Sequence, residues 1–422
     1  MQNNFEQLGT EPHFIKRLEE RSITKPTDIQ QKVITLLSAG ENVFFSSATG
    51  TGKTFAYLLP LLGKIFLKEA NASNAGERKR EIKFLIIAPT LELCTQIKGE
   101  LDFLLEGTDL KPVLLIGSVN IERQVENLRK NKPDIIVGNP NRLLVLARKK
   151  IIKLNCLESI VFDEADRLTS DEMIEDTKDL CEIIRRAANQ SPLAAACSAT
   201  MNKKNREKLI SLIFGKDGAK AHDSSKIAFV ESQDNEILRD KIEHWAIFSE
   251  KRRKDQTLRS LLAAIKTKAK KSKIKALVFT SRGDDAGLLL SRLQYHNVPA
   301  AGLFGKVGKK ALSGSERKAA LESFRSGNVD VLISTDLAAR GLDIPDITHV
   351  IALDVPDDSE VYIHRCGRTG RAGKRGIMVT IGDETQMRLL AAMEKKLKIK
   401  IFPKELHYGK IVAPEDVVEV DG

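Results

Sequence analysis

At 422 residues the chain is long enough for two or more domains, and its 42% apolar content suffices for sizeable cores. A net charge of +11 and a pI near 9.2 suit a polyanionic partner. The five cysteines (Cys94, Cys156, Cys181, Cys197, Cys366) are odd in number, scattered and never spaced C-x-x-C, which argues against a disulfide framework or zinc site and for a reducing compartment.

Met1–Glu6 has no signal-peptide character and no apolar run is long enough to span a bilayer, so a soluble, cytoplasmic protein without a membrane partner is expected. Cys94, Cys181 and Cys197 lie among apolar residues and read as buried spectators.

Residues 11–21 and 28–38 have the periodicity of amphipathic helices, with Thr27 placed to cap the second. Asn42–Phe45 is short and apolar, as a buried strand is. From Thr54 to Lys68 apolar residues recur at helical spacing. Between them runs Ser46-Ser47-Ala48-Thr49-Gly50-Thr51-Gly52-Lys53-Thr54. Strand, glycine-rich turn, Gly-Lys-Thr and helix form a phosphate site, although Ser47 stands where the general motif has glycine. The turn lets backbone N–H groups converge on phosphate oxygens, and the helix N-terminus adds partial positive charge. Lys53 neutralises the outer phosphates and the Thr54 hydroxyl holds Mg²⁺ in this reading. Residues 70–82 read as a polar surface loop.

Short apolar strands then alternate with helices. Strands are expected at Phe84–Ala88, Val113–Ile116, Asp134–Val137, Ser159–Phe162 and Leu193–Cys197, with helices over 92–105, 119–130, 142–149, 170–188 and 202–213. This is the pattern of a parallel sheet covered on both faces, whose chemistry lies at the carboxyl ends of the strands. Asp163-Glu164-Ala165-Asp166 follows one such strand. Asp163 is expected to hold Mg²⁺ through its water shell and Glu164 to act as general base.

Order weakens from Phe214 to Asp240, a candidate linker. A second alternation follows, with strands near 275–280, 298–302, 329–333, 348–353 and 376–381, and helices over 254–268, 283–296, 315–326, 359–366 and 383–397. It has no Gly-Lys-Thr, so the second half must contribute something other than a phosphate loop. In Tyr362–Arg371, Arg365, Arg368 and Arg371 recur every third residue among glycines, a pattern suited to phosphates rather than to a core. The fold expected is two α/β domains, 1–230 and 241–422, each a parallel sheet flanked by helices, joined by a flexible linker over 231–240. Closure of both onto one ATP is expected. The lysine-rich run Lys266–Lys275 reads as a solvated helix end and loop in preference to a nucleic-acid patch, and the tail after Ile401 ends acidic.

In this order and spacing, the motifs closely resemble the DEAD-box family of ATP-dependent RNA helicases, over roughly residues 5–385. The resemblance implies tandem RecA-like domains, ATP and Mg²⁺ as cofactors, and single-stranded RNA or a short duplex as substrate. Ribonucleoprotein or ribosome-assembly proteins are the partners it suggests. It implies an adenine site at Phe5 and Lys25-Pro26-Thr27-Asp28-Ile29-Gln30, with Phe5 on the ring and Gln30 reading its edge; Ser22 and Ile23 replace the usual glycine and aromatic. Ala48, Thr49, Gly50, Thr51 and Gly52 cradle phosphates, and Gly341 and Asp343 face the nucleotide from the second domain. Glu164, Arg368, Arg371 and Lys53 carry the hydrolysis, while Asp166, Ser198, Thr200 and His364 couple it to RNA.

RNA contacts are implied for Pro89, Thr90, Gly117, Arg142, Arg317 and Thr335. The departures cluster here. Leu91 stands for arginine, Ser118 for glycine, Asn139 and Asn141 replace Thr and Gly, and Gly314 replaces glutamine. A basic stretch, Phe304–Leu312, looks inserted and is expected to compensate in part for a weakened RNA groove. The activity implied is ATP-driven RNA gripping and local unwinding; the rival is an ATP-gated clamp or scaffold with little unwinding.

Overall fold

Four-residue apolar runs such as Phe84–Ile87 are too short for helices and leave no polar face for water, so they form strands buried on both sides. The computed structural model describes residues 4–47, 51–74, 80–198, 201, 203–221, 227–231, 241–269, 274–281, 283–304, 306–307, 310–339, 344, 346–370 and 374–417. The chain divides into two compact units, Met1–Gln233 and Asp234–Gly422. Among the described residues each unit has a seven-stranded sheet, parallel throughout.

In unit 1 the strands are β1 (Asn42–Ser46), β2 (Phe84–Ile87), β3 (Pro112–Leu115), β4 (Ile135–Gly138), β5 (Ser159–Asp163), β6 (Leu193–Ser198) and β7 (Ile227–Glu231), in the order β3-β4-β2-β5-β6-β1-β7. Around them pack α1 (Pro12–Glu20), α2 (Asp28–Ala39), α3 (Lys53–Asn74), α4 (Leu91–Leu105), α5 (Ile121–Asn131), α6 (Pro140–Arg148), α7 (Ala165–Leu168), α8 (Ile174–Ala187) and α9 (Lys203–Ala221). Alternation along each strand feeds two cores. Val43, Phe45, Phe84 and Ile86 enter one, and Phe44, Leu85 and Ile87 the other. Thr27 caps α2 through a reciprocal box with Gln30, and Gly40 ends it at φ 86°.

In unit 2 the strands are β8 (Ile242–Phe248), β9 (Ala276–Phe279), β10 (Ala300–Leu303), β11 (Lys306–Val307), β12 (Lys310–Ala311), β13 (Val331–Ser334), β14 (His349–Ala352), β15 (Gly376–Gly382), β16 (Ile401–Pro403), β17 (Glu405–His407) and β18 (Lys410–Val412). The sheet order is β10-β13-β9-β14-β15-β8-β16; β11–β12 and β17–β18 are separate two-stranded pairs. The helices are α10 (Lys254–Ala269), α11 (Gly283–Tyr295), α12 (Gly314–Ser326), α13 (Asp336–Ala339), α14 (Ser359–Cys366), α15 (Glu384–Leu397) and α16 (Pro414–Val417). Leu277 and Phe279 face one core, Ala276 and Val278 the other. Among the described residues no helix is long and apolar enough to cross a membrane.

Two expectations are corrected. Residues 70–74, read as loop, are the last turn of α3. The weakly ordered stretch after Phe214 holds more structure than expected: α9 continues to Ala221 past a break at Gly215 (φ 78°), and β7 pairs with β1. Glu231, placed at the start of the linker, is the last residue of β7; 232–240 lie outside the described residues. Within Lys266–Lys275, Lys266 pairs with Asp330 at 3.1 Å, and Lys275 Nζ donates to Arg325 O at 3.0 Å.

Candidate active site

Strand register assembles the unit 1 site. Ser46 of β1 is level with Ser198 of β6, and Cys197 of β6 with Asp163 of β5. The carboxyl ends of β1 and β5 are therefore two strand spacings apart, about 10 Å. Beyond β1 the Ser47 N–H donates to Ser198 O at 3.1 Å, and the Ser47 and Thr51 hydroxyls hydrogen-bond each other. The serine that departs from the general phosphate motif thus braces the loop. Lys53 opens α3 and its Nζ donates to Ser47 O at 2.6 Å; Thr54 follows, half-buried. Ala48, Thr49 and Gly50 lie outside the described residues.

The motif expected to read adenine is tied to this loop. Gln30, 2% exposed, donates through Nε2 to Gly52 O at 3.1 Å, and Thr27 Oγ1 donates to Thr51 O at 3.0 Å. Gly52 has φ 85°, a left-handed conformation that glycine adopts without strain, and a Cβ there would stand 2.3 Å from Gln30 Nε2 and push that amide aside. Lys25 is exposed. Phe5 is 2% exposed and packs into the unit 1 core beside the motif. Ser22, where the family has glycine, keeps the left-handed backbone at φ 60°.

Asp163 is 4% exposed, and both of its carboxylate oxygens accept hydrogen bonds. Tyr57 donates its phenol to Oδ2 at 2.8 Å; Oδ1 accepts the Glu164 N–H at 2.9 Å and the Cys197 thiol at 3.0 Å. Burial, with the Asp163 charge next in weight, pushes the Tyr57 phenol and the Cys197 thiol well up, so both stay protonated donors. Cys197 is therefore no spectator, and Tyr57 escaped the sequence reading altogether. Its signal was available: four residues after Lys53, it lies on the same face of α3. Glu164 sits in the left-handed region at φ 50°, turning the chain from β5 into α7, where Asp166 lies in the first turn. Ser198 is 1% exposed and Thr200 lies outside the described residues.

The unit 1 positions expected to contact RNA gather at the carboxyl ends of β2, β3 and β4. Pro89 is buried, and Thr90 caps α4 by accepting the Leu93 N–H at 3.2 Å. Arg142 donates to Gly117 O and to Gln124 Oε1, both at 3.0 Å, holding the exposed Gly117 loop. Asn139 leads into α6 without a side-chain cap.

In unit 2 the arginine reading is corrected at one position. Arg365 is 2% exposed and forks onto Asp336 through Nε and Nη2, both at 2.7 Å, while Nη1 meets Asp354. It is a buried structural cation. Arg368 is 5% exposed, and its Nε donates to His364 O at 3.3 Å. It lines a cleft of about 320 Å³ with Lys275, Arg325, Lys374 and Arg375. His364 is half-buried on α14, Thr335 is half-buried after β13, and Arg317 is half-buried on α12. Gly341, Asp343 and Arg371 lie outside the described residues. The basic insertion forms the β11–β12 hairpin, with Gly305, Gly308 and Lys309 outside the described residues.

The chain matches the DEAD/DEAH box helicase family over residues 27–209 and the helicase conserved C-terminal domain over 253–373. It is 34% identical over 406 residues to the DEAD-box ATP-dependent RNA helicase CshC of Bacillus cereus, covering 95% of this chain and 93% of that one. Identity to the probable ATP-dependent RNA helicase YfmL of Bacillus subtilis is 32%, covering 92% and 93%. In fold it matches S. cerevisiae Dbp5 bound to RNA and ADP BeF3 with a TM-score of 0.78 at 24% identity, over 99% and 97% of the two chains.

Proposed function

Because the chain belongs to the DEAD-box family of ATP-dependent RNA helicases, we propose that its unit 1 site binds Mg·ATP on the 47–54 loop and drives the gripping and local unwinding of RNA. The observation carrying this assignment is the convergence of Lys53, Gln30 and Asp163 at the aligned carboxyl ends of β1, β6 and β5. The donor set fits the nucleotide. Lys53 and the N-terminal N–H groups of α3 suit phosphate oxygens, and the Thr54 hydroxyl and Asp163 carboxylate suit a hard cation. Bound there, Mg·ATP supplies the phosphoryl group and a counter-charge for it.

The chain's own residues do the rest. Lys53 exchanges its bond to Ser47 O for phosphate oxygens. Gln30, now holding Gly52 O, trades that bond for the adenine edge, so base binding and loop conformation are linked through one amide. Glu164, the residue after Asp163, takes the proton of the attacking water. Arg368 and Arg371 meet the γ-phosphate; such arginines are worth on the order of 10³–10⁵ in rate. Asp166, Ser198, Thr200 and His364 pass the state of the nucleotide to the RNA side. There Thr90, Gly117, Arg142, Arg317 and Thr335 grip the strand.

Gripping the phosphates carries no sequence information. Choice of RNA therefore falls to ribonucleoprotein or ribosome-assembly proteins in this proposal. The compartment we assign is the cytoplasm, which accords with five free thiols, four of them buried.

Glu164→Gln tests the core of the mechanism. It should retain ATP and RNA together while RNA-stimulated turnover falls by about 10²-fold or more, and Lys53→Ala should lose ATP binding. Turnover by Glu164→Gln at the parent rate would remove Glu164 as base. Displacement of a short RNA duplex by the parent chain, scored beside the ATPase, separates unwinding from clamping.

A further inference from the structure

At the amino-terminal ends of β2 and β4 lies a cleft of about 880 Å³, on the pole of unit 1 opposite Lys53 and Asp163. Its floor is aliphatic: Ile82, Val125, Leu128, Ile151 and Ile152. Its rim is cationic: Arg80, Arg129, Lys132, Lys149, Lys150 and Lys153, against the single carboxylate of Glu81. Arg80 is occupied, donating to Asp109 O at 3.5 Å and standing 3.9 Å from Asp134. The other five form no ion pair among the described residues.

Helix ends account for part of this charge, since α5 and α6 terminate here and their carbonyl ends favour cations. The aliphatic floor is the edge of the unit 1 core: Ile82, Leu128 and Ile152 are buried in it, while Val125 and Ile151 are half-buried and open to the cleft.

The lining residues also decide between occupants. None is aromatic, so bases find no stacking platform, and an aliphatic floor offers a phosphate backbone nothing to bind. Carboxylates on the rim with Leu, Ile or Val on the floor would satisfy both surfaces. We propose that this cleft docks an acidic, aliphatic segment of a partner protein. The site is distinct from the RNA-side positions Thr90, Gly117 and Arg142, which lie at the carboxyl ends of the same strands, so unit 1 can hold both at once.

The test uses the full chain and fluorescence anisotropy. The probe is a labelled helical peptide of roughly fifteen residues, with Glu on one face and Leu on the other. A Glu–Gly peptide of equal charge and an oligouridylate serve as comparisons. Saturable binding of the probe is expected, weakened about tenfold or more in the K149E/K150E/K153E chain and again in Val125→Ser, with RNA-stimulated ATPase retained in the charge-reversed variant. Equal binding of the Glu–Gly peptide would reduce the cleft to a charged surface and overturn the proposal. So would displacement of the probe by oligouridylate together with lost oligouridylate affinity in the charge-reversed chain, which assigns the cleft to RNA. Absence of saturable binding to the parent chain overturns it as well.

Discussion

The Tyr57 phenol donates to Asp163 from inside the protein, where no water can replace it. Its loss in Tyr57→Phe leaves one carboxylate oxygen short of a donor, which costs about 1–3 kcal/mol of stability. If Asp163 holds the Mg²⁺ shell, the carboxylate also becomes free to turn, and partners of this kind are worth about 10–100-fold in metal affinity or activity. The Mg²⁺ midpoint of RNA-stimulated ATPase should therefore rise by at least tenfold at saturating ATP; an unchanged midpoint would show that Tyr57 serves stability alone. Residues of this sort mark where single-residue reading stops. Lys53 and Asp163 were legible because their chemistry and spacing identify them. Cys197 was not, because an apolar neighbourhood in sequence does not reveal a carboxylate on the adjacent strand. Arg365 failed for a related reason: nothing local shows that Asp336 and Asp354 close around it.

At the scale of elements, α3 shows how a tertiary pair overrides local composition. Residues 70–74 are small and polar and read as loop, yet the helix continues to Asn74. Glu69, 4% exposed, is paired with Lys83 just before β2, pinning the last part of α3 to the strand that follows it. Lys83→Ala should destabilise unit 1 by about 3 kcal/mol, because a buried carboxylate loses its cation. Denaturant unfolding of that variant checks it, and Lys83→Ala combined with Glu69→Gln should recover part of the loss; no recovery would place the effect in packing. Most other elements were legible to within a few residues, since strands buried on both faces are continuous apolar runs. The strands that escaped break that pattern. β7 is an edge strand with exposed Phe229 and Glu231, and β8 alternates, exposing Glu243 and Phe248. Capping marks where some helices begin: Thr27, Ser313 and Asp383 each open a reciprocal box.

The chain has two compact units, each with its own pair of cores, so a single unfolding free energy does not describe it. The units can be told apart by one chromophore. Trp245 is the chain's single tryptophan and is buried in β8, so tryptophan fluorescence follows unit 2 alone. Unit 2 also carries an acid-sensitive group. His349 opens β14, its Nδ1 lies 2.8 Å from the Thr348 hydroxyl, and burial, with the Lys268 charge second, brings its pKa down to about 4. In the folded unit the imidazole thus stays neutral down to about pH 4, whereas unfolded it takes a proton below about pH 6.5. The unfolded state binds more protons between those values, so the histidine's contribution is intact above pH 6.5 and is lost as pH falls towards 4. At about 1.36 kcal/mol per pH unit the loss reaches roughly 3 kcal/mol. Denaturant unfolding of the full chain, followed by Trp245 fluorescence at pH 7 and pH 4.5, should give a midpoint lower at the acid pH. His349→Gln, which cannot take the proton, should lose about 2–3 kcal/mol less over that interval. If His349→Gln and the parent chain lose the same amount, the acid sensitivity of unit 2 resides in its carboxylates and His349 is exposed enough to titrate normally.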